Sequence, residues 1–398
     1  MRMSTMGERA GVAQHTKVTL IFLRYVWRGR GLAAILVALT LIAGALVSAC
    51  GARVPTPQPL EPVGADPHIW ASFDQRPSGV AVVGERVFVS FPRWFGYDGP
   101  TLAEVVDGQV VPWPDDATQD GDDPRDLRSV LGVRADGAGR LWVVDAAARV
   151  NATAATSSFS NVARVVVFDI ASGDELFRRA FDLPDGPALL NDVAVDERHG
   201  HAYLTVTGLG APSRLIVWDF VRNRDHSALV GHPAISADPQ LVLTVDGVPV
   251  IRNDEHGGGP WQVGANSVAV LDDHVFVGAT GNGTLYRIPS AALRDTSLDD
   301  TTRATRLEAW ADKPPSDGLA VDGQQLWLTD VSTGALHVYV DGRGATWFRS
   351  PLLSFPTAVA LTEHHAWVTA SQLHLAPHVQ RNGQDAATPP FLLLRLPR

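Results

Sequence analysis

The chain has 398 residues, is 45% apolar and carries a formal net charge of −10 at neutral pH, enough material for a large core. Its first 49 residues hold six Lys/Arg and one acid, so the remainder carries 27 basic against 42 acidic side chains. A surface that acidic repels phosphate backbones, and no basic stripe interleaved with aromatics offsets it, which excludes nucleic acid as a partner.

The first element in chain order is a leader. Arg28 and Arg30 precede an apolar run, residues 31–49, and Cys50 follows at once. Val47-Ser48-Ala49-Cys50 has the form of a bacterial lipobox, in which small residues precede a cysteine that is lipidated and becomes the new N-terminus. The alternative is an uncleaved anchor, because the run is just long enough to span a bilayer. Cys50 is the single cysteine of the chain, so no disulfide is available. We read residues 1–49 as a lipoprotein-type signal peptide and 50–66, rich in Pro, Gly and small residues, as a flexible tether. Residues 67–398 form the folded part. These features place the protein in the cell envelope, lipid-anchored on the extracytoplasmic side, or outside the cell.

A hairpin pattern then recurs six times. Pro77–Phe91, Arg128–Asp145, Asn191–Val206, Asn266–Ala279, Ser316–Asp330 and Pro356–Ala370 each hold two β-rich runs around a polar turn. Their first strands begin at Val80, Leu131, Val193, Val268, Leu319 and Val359, spaced as four-stranded propeller blades with loop insertions. Arg164–Ile170, Arg214–Phe220, Thr284–Ile288 and Ala335–Val340 supply further strands, and Pro289–Arg294 is a candidate short helix. The predicted fold is all-β: a six-bladed β-propeller of four-stranded antiparallel blades. Phe391–Leu396 and Ile69–Phe73 are placed to close the ring by pairing, which removes two long open edges. Trp142, Trp327 and Trp367 share one repeat position and read as spacers between blades.

Strand direction in such a ring brings two sets of side chains to one face. The inner set, the polar residue two positions before each first strand, is Ser78, Ser129, Asn191, Asn266, Asp317 and Thr357. The outer set follows each second strand: Ser90 with Arg93 and Trp94, Asp145, Thr205, Asn282, Asp330, and Ser371 with Gln372 and His374. Such residues also bond nearby backbone in turns, and a channel mouth is polar whether or not it binds anything. Trp94 beside Arg93 offers an indole that stacks an aromatic or cationic ligand, or packs as a lid residue. His364-His365 and His199/His201 fall in hairpin turns, and Pro377 interrupts the His374/His378 pair, so none reads as a zinc site. No GxSxG elbow, P-loop or CxxC is present.

RPSGVAVVGERVFVSFPRW (Arg76–Trp94), the stretch Asp122–Asp145, LNDVAVD (Leu190–Asp196), YRIPSAALRD (Tyr286–Asp295), SDGLAVD (Ser316–Asp322), WVTASQLH (Trp367–His374) and NGQDAATPPFLLLRL (Asn382–Leu396) together resemble the yellow/major royal jelly protein family. The resemblance runs in family order over the whole folded part. It implies a secreted six-bladed propeller; some members are associated with dopachrome chemistry and some salivary members bind biogenic amines in the axial channel. LNDVAVD, ANSVAV and SDGLAVD are also similar, more distantly, to the regucalcin/gluconolactonase propellers, which hold a divalent cation at the channel mouth. That second resemblance implies Asn191, Asn266 and Asp317 as metal ligands, with Ser78 where that family has a glutamate. Calcium is the cation implied, and Asp317 the candidate catalytic base.

Three functions follow as expectations. The first is a monomeric binding protein that takes a small polar or aromatic molecule, an amine by charge, at the channel mouth, touching the membrane only through its lipid. The second is a cation-dependent hydrolase or isomerase, lactonase-like or dopachrome-tautomerase-like. The third is a protein-interaction scaffold.

Overall fold

The computed structural model describes Gly64 and residues 66–398, except 120–122, 154–155, 184–185, 210 and 254–257. The leader, Cys50 and nearly all of the tether lie outside the described residues. Among the described residues no helix is long and apolar enough to cross a membrane.

Six four-stranded antiparallel sheets form a six-bladed β-propeller. The inner strands are Val80–Val83 in blade 1, Val130–Ala135 in blade 2, Ala188–Asp196 in blade 3, Ala265–Leu271 in blade 4, Leu319–Asp322 in blade 5 and Pro356–Leu361 in blade 6. Each second strand returns through a short turn. In blade 6 the third strand, Phe391–Pro397, pairs with His68–Phe73, which becomes the outer strand of that blade. The ring is therefore closed by both ends of the folded chain, as the sequence predicts. The expected helix is present as Ser290–Arg294, and a second one, Asp300–Ala304, is added before the last strand of blade 4.

The repeat is tighter than the Trp pattern alone suggests. Phe88, Trp142, Tyr203, Phe276, Trp327 and Trp367 occupy one position on the six second strands, and all are buried. Opposite each stands a small Ala (Ala81, Ala194, Ala269, Ala320, Ala360), except in blade 2, where Arg134 faces Trp142. A large ring against a methyl fills the wedge between blades without overpacking. Two residues further along, a hydroxyl recurs. Ser90 Oγ accepts the Gly79 N–H at 2.7 Å and donates to the Leu131 carbonyl of the next blade. Thr205 does the same from Asp192 to Asn266, and Thr369 from Ala358 to Ser78. These hydroxyls satisfy backbone groups that the sheets leave unpaired at their inner edge.

Candidate functional site

Three residues upstream of each Ala, the chain presents a side chain to the axis. In four blades the pairing register breaks at this point, between Val130 and Val133, Leu190 and Val193, Ala265 and Ser267, and Pro356 and Ala358. A bulge there re-aims the residue from the blade face toward the channel. Ser78, Leu131, Asn191, Asn266, Asp317 and Thr357 result, and all six line one cavity of about 210 Å³.

Ser129 is therefore corrected. It is fully buried, its N–H bonds Asp145 at 2.9 Å and its Oγ accepts the Arg93 N–H at 3.2 Å. Leu131 takes its place in the ring. The repeat written from the ring position reads SGVA, LGVR, NDVA, NSVA, DGLA and TAVA; aligning on Val-Ala rather than on the nearest oxygen finds Leu131 and marks Arg134 as the single departure. Arg93 is corrected as well. Its guanidinium bonds the Gly99 carbonyl at 3.1 Å and the Gln119 carbonyl, holding the loop of blade 1 from behind the cavity wall. Much of the outer set serves the scaffold too: Ser90 and Thr205 are inter-blade bonds, while Asp145 is buried against Arg164 at 2.7 Å. Asp330 binds the turn N–H groups of Ser332 and Thr333. Trp94 and Ser371 line the cavity.

The floor is polar on one side. Asn266 donates its amide to the Asp317 carboxylate and to Thr280 Oγ1 at 3.0 Å, and Thr280 adds a longer bond to Asp317 at 3.4 Å. Asn191 donates to Thr207 Oγ1 at 2.9 Å. Both amides thus donate to the wall, and among the described residues no partner meets their carbonyl oxygens. One Asp317 oxygen stays similarly unbonded. Burial pushes the Asp317 carboxyl up to about 7, against the bonds from Thr280 and Asn266, with Asp192 adding to the rise. Behind the wall, Lys313 fills the space that a side chain at Gly278 would take. It donates to the Ala279 carbonyl at 2.8 Å, and burial lowers its ammonium to about 7.

Below this ring Arg134 crosses the axis. It bonds Asp192 at 3.2 Å and reaches the Leu319 carbonyl of blade 5 at 3.3 Å. Arg134 narrows the channel there, and beneath the ring it lines a second, smaller cavity of about 40 Å³. Burial raises the Asp192 carboxyl despite its guanidinium partner.

The upper wall is aromatic and apolar: Trp94, Phe95, Tyr97, Trp261 and Phe391, with Leu131, Leu189 and Leu209 on the side of blades 2 and 3. His378 stacks on Phe95 at 5.2 Å and meets the edge of Trp261 at 5.1 Å. Burial lowers His378 to about 3 and His374 to about 4, so both are neutral bases. Sequence reasoning found Trp94 of this wall and missed the rest, because it comes from loops of unequal length that carry no repeat.

The donors at the floor are all oxygen: the Asn191, Asn266 and Asp317 side chains, with Ser78 and Thr357 beside them. They suit a hard cation such as calcium rather than zinc, and a single carboxylate keeps such a site weak. Among the described residues, no group of three or more His, Cys, Asp or Glu side chains is arranged to hold a metal.

Residues 128–339 match the family model described as major royal jelly protein. No curated protein sequence matches the chain. Among solved structures, a gluconolactonase from Xanthomonas campestris is 15% identical, with 87% of this chain and 99% of that one covered and a TM-score of 0.46. Calcium-binding regucalcin from Agrobacterium tumefaciens is 14% identical over 85% of this chain and 93% of its own, TM-score 0.46. The PQQ-bound aldose sugar dehydrogenase from Streptomyces coelicolor is 14% identical over 82% and 96%, TM-score 0.43.

Proposed function

This chain belongs to the major royal jelly protein family, and from that premise we propose that it binds a small polar or aromatic molecule in the cup at the channel mouth. One observation carries the reading: a cavity of about 210 Å³ joins an aromatic wall to a floor with one carboxylate and two free amide carbonyls. Such a site buries a flat apolar body while fixing its polar end. Among the described residues Asp317 has no cationic hydrogen-bond partner, and Lys313 acts on it only through space, so an ammonium group on the ligand would supply a direct countercharge, and the acidic surface favours amines on approach. Within the same reading the protein is a monomer, anchored to the envelope through Cys50 or released outside the cell. Isothermal calorimetry of the full chain against a panel of amines, phenols and sugars tests it. Binding should appear with an amine or phenol and weaken at least tenfold in Asp317→Ala; no heat across the panel would sink the reading.

The floor also supports a second reading, a cation-dependent hydrolase or isomerase. The outward carbonyls of Asn191 and Asn266, with the unbonded oxygen of Asp317, would hold the cation. When bound, the cation would polarise a substrate oxygen. Asp317 would hold the proton displaced from water or substrate, a task for which a carboxyl near neutrality suits. Equilibrium dialysis with calcium, manganese and zinc separates the two: retention of calcium by the native chain and not by Asn266→Leu favours the enzyme.

A further inference from the structure

The loop between the second and third strands of blade 6, residues 371–390, is the longest such loop in the ring; in blades 3, 4 and 5 the equivalent loops are residues 209–213, 280–283 and 331–334. It runs across the mouth, and Leu373, His378, Asp385, Ala387 and Pro389 from it line the cavity. Its inner half is anchored: Val379 packs in a small apolar cluster with Trp261 and Phe355, above the ring. Among the described residues its outer half is held to the rest of the protein by one ion pair and by Ala387, which packs against the apolar cluster around Phe73, Phe91 and Phe391. Asp385 receives both terminal nitrogens of Arg76, at 2.6 and 2.5 Å, and the guanidinium lies over Phe95 and Phe391 at 5.3 and 5.0 Å. Gln372 and Thr388 bond each other, and Ala386 bonds Leu375, so those contacts travel with the loop.

A second, independent observation concerns what closure hides. Nε of Arg76, Nε1 of Trp94 and Nδ1 of His374 and His378 are buried with no hydrogen-bond partner. Buried polar atoms are ordinarily paired, and an unpaired one forfeits its hydration. All four sit at the contact between the loop and the mouth. Lifting the outer half removes the cover over Arg76 and over the histidines beside it, so closure carries part of the polar penalty that the described residues also show elsewhere. A bidentate but partly exposed ion pair opposes that penalty, and such pairs are weak.

We propose that residues 371–390 are a lid on the cup, latched by Arg76 and Asp385 and hinged on the Val379 anchor. The inference needs only the cavity, not the identity of what it takes, so it stands or falls apart from the ligand reading. Its test uses a thiol reporter on the floor. Leu131→Cys is introduced into the full chain, and its reaction rate with Ellman's reagent is measured, the contribution of Cys50 being subtracted with the Leu131 parent. Asp385→Asn and Arg76→Gln should each raise the rate about tenfold. The swapped pair, Arg76→Asp with Asp385→Arg, should bring it back to within about threefold of the latched protein. Hydrogen exchange should show faster amides at Gly383 and Ala386 in the single variants and unchanged amides in the inner strands. Equal reporter rates in latched and unlatched proteins, with the ring folded, would overturn the lid. So would exchange that accelerates throughout the ring together with residues 371–390, since the pair would then be a fold contact.

Discussion

The ring and the roof of this propeller are held by different means. In the ring, one aromatic per blade faces one small residue in every blade but the second, and a hydroxyl in blades 1, 3 and 6 ties a sheet to its neighbour. In the roof, loops of unequal length meet through ring stacks, one clasp and a small apolar cluster, and several polar atoms go unpaired. The repeated solution uses hydroxyls to pair backbone groups at the inner edge of its sheets. The unrepeated one leaves slack where a molecule has to enter and leave, as expected of regions whose local stability is low.

The largest expected effect tests the ring side. Trp142 is fully buried and edge-packed against Trp218, Phe177 and Phe220. Trp142→Ala should cost about 3–5 kcal/mol in denaturant unfolding, and Trp261→Ala in the roof less than half of that. Equal losses would erase the distinction between the two regions.

The next effect lies at their boundary. The Asp317 carboxyl is raised by burial to about 7, so its ionised form is disfavoured in the fold. The sign follows: the fold loses stability as pH rises from the unfolded carboxyl value toward 7. Asp317→Asn removes that loss and should stabilise the protein by about 1–3 kcal/mol at pH 8, with little change at pH 4. Lys313, lowered to about 7, works in the opposite direction, its cost growing as pH falls from the usual lysine value toward 7. Denaturant midpoints at both pH values, with the slope unchanged, provide the measurement. A variant less stable at pH 8 would mean that the ionised carboxylate is compensated, and the case for a cationic ligand there would weaken.

Ring and roof also differ in how far the sequence discloses them. Blade number, closure by Phe391–Pro397 and the third strands follow from period-two patterning, because each strand must bury one face whatever its neighbours do. Asn191, Asn266 and Asp317 were legible for the same reason, each being followed by the repeated apolar step. Ser129 was misplaced because the bulge at Val130–Val133 adds residues that a count from the nearest polar side chain does not see. Arg134 was readable as an Arg where five blades have Ala, yet its reach to Leu319 depends on a distance of half the ring. Trp261, His378 and the Arg76–Asp385 clasp join residues with no shared period, so only tertiary contact reveals them.

A smaller effect isolates one stitch of the ring. Thr369 accepts the Ala358 N–H and donates to the Ser78 carbonyl, linking the last blade to the first. Thr369→Val keeps the shape, takes the acceptor from the Ala358 N–H and leaves the Ser78 carbonyl with only the 3.3 Å bond from Thr357 Oγ1, at a cost of about 1–2 kcal/mol. Thr369→Ser should recover most of it, because the hydroxyl rather than the methyl carries the link. Failure of the serine to rescue would assign the loss to packing.

The smallest effect on global stability is expected from acid acting on the roof. His374 and His378 are held neutral by burial, with Arg76 opposing their protonation and, beside His378, Asp385 favouring it. An unfolded histidine takes up its proton near pH 6.5 and these two only at about 4 and about 3, so whatever they contribute is complete above 6.5 and fades as the pH falls toward 4. If the roof opens by itself, both imidazoles gain their protons in water without the ring unfolding, and the loss is capped at the cost of opening. The midpoint of global unfolding should then move by less than about 1 kcal/mol between pH 7 and 5 on account of these groups. Over the same interval, amide exchange in residues 371–390, corrected for its intrinsic pH dependence, should accelerate several-fold. Exchange that stays flat there while the global midpoint falls would tie the histidines to the ring and make roof and ring one cooperative unit.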